Sequence, residues 1–197
     1  MPYAYNVDAY AVKDALSLQP YTATAGTKSI PSSNYGYLIK YNSVNSVKLL
    51  GQLLKQGIKV RYSEKPFTYN QNVYDRGTLI VLEKGNPANL SSVLNNLAAG
   101  NDADIEAVST GFMDKGPDFG SPDVKVILPP KVALITGEQA SALGAGEVWH
   151  LFEQQLNYPI TLINAADISR TNLKDYNVLI IPDGNYRNFL IKMFQTN

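Results

Sequence analysis

The sequence predicts an α/β fold in two small units with mostly parallel sheets. Three observations lead to it. Short apolar runs bounded by turn residues alternate with stretches of helical periodicity, the pattern of strand–helix–strand architecture. A segment rich in Gly, Pro and Asp, GFMDKGPDFGSPDVKVILPP (111–130), separates two such series and reads as a linker. Of the 197 residues, 45% are apolar and 17% charged, which supplies a core and argues against disorder. The first unit is placed at 1–125 and the second at 126–197.

The first 35 residues lack strong periodicity, and PSSNYG reads as a turn. YGYLIKY (35–41) is a short apolar strand. NSVNSVKLLGQLLKQG (42–57) is a helix, with Ser43 as its cap and Val44, Val47, Leu50 and Leu54 at helical spacing. Gly57 supplies the left-handed residue that ends it. IKVRYSE (58–64) is the next strand. Strand, helix and strand in this order predict a βαβ unit with parallel pairing and a right-handed crossover. FTYNQNVYDRGTLIVLEK (67–84) reads as an extended stretch, a turn at DRG and a strand at TLIVL. NPANLSSVLNNLAAG (86–100) is a second helix, with Leu90, Val93, Leu94 and Leu97 on one face and Gly100 closing it. IEAVST (105–110) is a strand.

KVALITG (131–137) opens the second unit as a strand. The glycine-containing loop EQASALGAG, the helix EVWHLFEQQL and the strand ITLIN (160–164) follow. Val178 to Ile181 form another strand, and NYRNFLIKMFQ (185–195) a final helix.

Composition narrows the function. Lysine plus arginine equals aspartate plus glutamate, 17 each, so no excess positive charge is available to neutralise a nucleic-acid backbone. The absence of cysteine removes disulfides, thiolate metal sites and a cysteine nucleophile together. No apolar run approaches the ~20 residues that span a bilayer, and no membrane partner is expected. MPYAYNVDAY has no basic stretch followed by an apolar one, so no signal peptide is expected. The 13 tyrosines read best as half-buried strand and helix residues, although tyrosine is also common on surfaces that bind peptides or sugars.

The lone histidine, His150, stands three residues before Glu153 in GEVWHLFEQQL. His-x-x-Glu is half of a carboxypeptidase-type zinc motif, but a catalytic zinc needs three protein ligands and no second histidine exists. Helical spacing instead sets His150 beside Glu147, Glu153 and Gln154 on a polar stripe, opposite Val148, Leu151, Phe152 and Leu156. No metal ligand is assigned. The loop after KVALITG lies where open α/β sheets bind ligands, yet Gly137, Gly144 and Gly146 match neither dinucleotide nor P-loop spacing. Asp183 follows a strand and either lines a ligand crevice or caps the next helix. No G-x-S-x-G elbow is present, and no catalytic residue is assigned.

PKVALITGEQASALGAGEVWHLFEQQLNYPITLI followed by LKDYNVLIIPDGNY resembles the class I glutamine amidotransferase-like domain at the C-terminal end of large bacterial zinc carboxypeptidase-like proteins. Upstream, PYAYNVDAYAV is similar to the segment after their peptidase domain. YGYLIKYNSVNSVKLLGQLLKQGIKVRYSEKPF with DRGTLIVLEKG is similar to their intermediate α/β region. The resemblance covers nearly the whole chain. It implies a flavodoxin-like second unit and a secreted or periplasmic parent. It also implies an upstream peptidase domain as partner, holding zinc, its ligands, the substrate-binding arginine and the general-base glutamate. An active amidotransferase carries a cysteine nucleophile with a downstream histidine and glutamate. This chain has no cysteine and ends thirteen residues past IIPDG, so the second unit is expected to be incomplete there. Exposed strand edges and a possible homodimer are expected in consequence. The resemblance thus implies a non-catalytic accessory region. The alternative is a small-molecule or peptide-binding module whose crevice is lined by Glu138, Glu147, His150 and Asp183.

Overall fold

The computed structural model describes residues 8–17, 29–101 and 103–186. It is mixed α/β, with one antiparallel sheet, one parallel sheet and a small hairpin.

The first sheet contains β1 (Gly36–Ile39), β2 (Val60–Ser63), β5 (Leu79–Leu82), β6 (Ile105–Val108) and β7 (Val124–Val126), in the order β6-β1-β5-β2-β7. Every pairing in it is antiparallel. Helix α1 (Val44–Lys55) links β1 to β2, and α2 (Leu90–Asn101) links β5 to β6. The strand–helix–strand order was foreseen, but the parallel pairing is corrected. β1 and β2 do run in the same direction, yet β5 lies between them and pairs with both. The chain returns from β2 through residues 64–78 and comes back beside it. Ser63 N donates to Thr78 O (3.1 Å) and Gly77 N to Ser63 O (2.7 Å), which sets β5 against β2 as an antiparallel neighbour. The result is a split β-α-β arrangement.

Both central strands are buried on both faces, which is why they read as continuous apolar runs. Tyr37, Ile39, Leu79 and Val81 pack under Leu49, Leu53, Leu90 and Leu94 of the helices. Leu38 and Ile80 face the opposite cluster, with Phe67, Tyr74 and Phe119. Full burial of each such side chain contributes about 1.5–3 kcal/mol.

Helix α1 starts at a capping box. Ser43 Oγ accepts from Ser46 N (3.2 Å), and Ser46 Oγ accepts from Ser43 N (3.1 Å). Gly57 takes φ +74° just past the end, as expected. The buried stripe is centred on Ser46, Leu49 and Leu53 rather than on Val44, which is 63% exposed. Ser46 tolerates this position because its hydroxyl is already satisfied within the cap. In α2, Gly100 lies inside the last turn rather than beyond it.

Residues 67–74 fold as a hairpin, β3 (Phe67–Tyr69) with β4 (Asn72–Tyr74), where one extended stretch was expected. Asn70 (φ 48°) and Gln71 (φ 65°) form its two-residue turn. The supposed linker 111–130 is likewise structured. Thr68 N donates to Lys115 O (2.8 Å) and Asp114 N to Thr68 O (2.9 Å). Phe119 is buried edge-on to Phe67, with ring centroids 5.9 Å apart. Hairpin and loop together cover the sheet face that the helices leave open.

The second sheet is parallel, with β8 (Val132–Thr136) between β9 (Thr161–Asn164) and β10 (Val178–Ile180). The expectation of mostly parallel sheets therefore holds here and fails in the first sheet. Helix α3 (Ala142–Trp149) begins at the cap Ser141, five residues earlier than the predicted helix start at Glu147. Gly144 and Gly146 thus lie in the helix and not in a loop. The helix continues as a π-turn over His150–Gln155, where Leu156 N donates to Leu151 O (2.9 Å). The helix expected over 185–195 falls, from residue 187 onward, outside the described residues.

The two sheets share apolar packing. Val132, Tyr158, Phe152, Leu156 and Ile180 join the cluster that contains Leu53 and Leu54 of α1. Gly51 allows this approach, since a Cβ there would stand 3.3 Å from Tyr158 Cδ2. Tyr158 Oη donates to Pro130 O (2.8 Å).

Candidate functional site

The chain adds β9 on one side of β8 and β10 on the other. The order of strand addition therefore reverses between β8 and β10, and the C-terminal ends of those two strands are where a parallel sheet of this kind holds a ligand. Glu138 follows β8, and Asp183 follows β10, so the fold does bring their backbones to this place.

Backbone pairing fills the gap between them. Ala140 and Gly184 form a β-bridge. Ser141 N donates to Asp183 O (2.7 Å), and Asn185 N donates to Gln139 O (2.8 Å). Gly184 is essential to this closeness, because a Cβ on it would lie 2.1 Å from Gln139 O. Gly144 of α3 lies beside Pro182, where an added Cβ would make only ordinary contact at 3.5 Å. Two strand ends that would wall a crevice are thus joined to each other.

The side chains of Glu138 and Asp183 are exposed at this junction. Asp183 Oδ1 accepts from Gly184 N (2.8 Å), a local turn contact. Tyr186 Oη donates to Pro182 O (2.8 Å), and its phenol is held above the ordinary range by burial and then by the Asp183 charge. Glu147 and His150 are both exposed near the C-terminal end of α3. The π-turn begins at His150, and its wider i→i+5 bonding takes Glu153 off the position above His150 that a regular helix gives. Glu153 Oε1 instead accepts from Ile160 N (3.3 Å), which fixes the entry to β9. Among the described residues no group of three or more His, Asp or Glu side chains is placed to hold a metal ion.

The closure itself was missed by sequence reasoning. Its only local signal is Gly184 directly after an apolar strand and Pro182-Asp183. A second feature was hidden by reading 111–130 as a linker. An open cleft of about 670 Å³ lies between Tyr35 and the 109–122 loop, with Phe112 and Asp118 in its lining.

Comparison with protein-family models, curated proteins and solved structures finds no match to this chain.

Proposed function

We propose that this chain is a non-catalytic accessory region of a zinc carboxypeptidase-like protein, packing on the peptidase domain of the same polypeptide. In this reading the parallel sheet is the start of a flavodoxin-like, amidotransferase-like unit, and the antiparallel sheet belongs to the intermediate region before it. The reading rests first on the sequence resemblance. The structural observation that favours it over a ligand-binding or catalytic module is the closure at Ala140 and Gly184. Backbone occupies the strand-end position where a substrate would sit, Glu138 and Asp183 face solvent beside it, and Glu147 and His150 face solvent further along α3.

The edges support a packing role. Among the described residues β9 and β10 each have one strand neighbour. Leu162 on β9 is 51% exposed, Val178 on β10 is 41% and Ile181 just after it is 42%. Apolar residues on an unpaired edge suit contact with another protein surface.

Metal analysis with a peptidase assay on this chain alone tests the proposal. The expected result is no stoichiometric zinc and no release of C-terminal residues from peptides. Bound zinc together with hydrolysis that His150→Ala abolishes contradicts it.

A further inference from the structure

The cleft beside the 109–122 loop offers chemistry that the accessory role does not use, and the inference drawn from it is independent of that role. Its volume, about 670 Å³, lies within the range of small-molecule sites. Its walls are fixed in place. Phe119 N donates to Gly111 O (3.0 Å) across the neck of the loop. Met113 N donates to Asp118 Oδ1 (2.7 Å). Gly111 leaves room for the Tyr35 hydroxyl, which an added Cβ would meet at 1.9 Å.

The lining combines two kinds of group. Tyr35 and Phe112 present aromatic surface, and Phe112 is 76% exposed. Between them are hydrogen-bonding groups with capacity left over. Thr110 Oγ1 accepts from Phe112 N (3.2 Å), and Ser121 Oγ accepts from Asp123 N (3.2 Å), so both hydroxyl protons remain to be donated. Asp118 uses one carboxylate oxygen on Met113, leaving the other as an acceptor. Among the described residues the lining contains no lysine, arginine or histidine, and so no cation to hold a phosphate or carboxylate.

We propose that this cleft binds a neutral, hydroxyl-rich ligand, a short oligosaccharide. The apolar face of a sugar ring stacks on Phe112 or Tyr35, and its hydroxyls pair with Thr110, Ser121 and Asp118. An exposed aromatic next to unmatched donors and acceptors, without positive charge, is what such a ligand requires.

Isothermal titration of the full chain with cellotriose, maltotriose and chitotriose tests this, with a lysine-rich peptide as the competing probe. One trisaccharide is expected to bind. Phe112→Ala is expected to weaken it about tenfold, with an unchanged melting temperature because the ring is exposed. Asp118→Asn keeps the oxygen that Met113 needs and is expected to weaken binding by a smaller factor. The proposal is overturned if no trisaccharide binds up to about 10 mM. It is equally overturned if neither variant alters the affinity, or if only the cationic peptide binds.

Discussion

Gly184 and Gly146 lie in neighbouring segments of the parallel-sheet region, and a methyl group at each meets a different environment. At Gly184 it would press against Gln139 O at 2.1 Å, a backbone atom that cannot move without breaking the strand-end junction. At Gly146, inside α3, it would meet nothing within 4 Å. Gly184→Ala is therefore expected to lower stability by about 1–3 kcal/mol, the usual range for forced overpacking. Gly146→Ala is expected to raise it by about 0.5–1 kcal/mol, through helix propensity and a smaller entropy loss. Urea unfolding of the two variants checks both, and equal effects would mean that the junction is not as tight as described. Tyr74 gives a pH prediction at the same scale. Its ring is buried, and its hydroxyl donates to Glu106. Burial, then the bond to Glu106, hold its pKa above the ordinary 10.0. The unfolded chain releases this proton from about pH 10. The stabilisation is thus complete below that pH and is lost as pH rises further. Burial raises Tyr158 and Tyr186 in the same direction. Denaturation midpoints followed from about pH 8 to about pH 11 should fall at the alkaline end, and less steeply in Tyr74→Phe.

At the scale of elements, the β3–β4 hairpin shows where local signals fail. Its turn residues Asn70 and Gln71 both have positive φ, a conformation that Asn-Gly announces and Asn-Gln does not. The turn persists because Gln71 N donates to Asp114 Oδ2 (3.2 Å) and because the strands bury Phe67 and Tyr74. A glycine at 71 keeps that N–H and removes the side-chain strain, so Gln71→Gly is expected to stabilise by about 1 kcal/mol in a denaturation experiment. A loss of stability would contradict the turn geometry. The two ends of helix α1 were legible, because Ser43 and Gly57 are local devices with local causes, but its buried face lies on Ser46, Leu49 and Leu53 and not on Val44. The position of β5 was not legible, since strand pairing depends on the return from β2 and not on the residues of β5 itself. The 111–130 segment misled for a related reason. Its Gly, Pro and Asp residues do mark irregular backbone, but Phe119 anchors that backbone on the sheet. At the site, the sequence placed Glu138 and Asp183 at strand ends correctly. It gave no sign that backbone would close the space between them, because a contact between residues 140 and 184 is tertiary.

At the scale of the molecule, the two sheets are joined by an apolar cluster that runs from α1 through Tyr158 and Phe152 to Val132. The packing is inward and continuous there, while among the described residues β9 and β10 are edges with partly exposed apolar residues. This combination fits a region that completes its packing on a larger protein, which is the central claim. The most direct measurement is the size and zinc content of the native polypeptide, recovered from its own cells with antibodies against this chain. The account predicts a polypeptide well above 21.6 kDa that carries zinc and releases C-terminal residues from peptides. A native species of 21.6 kDa, standing alone, would contradict it.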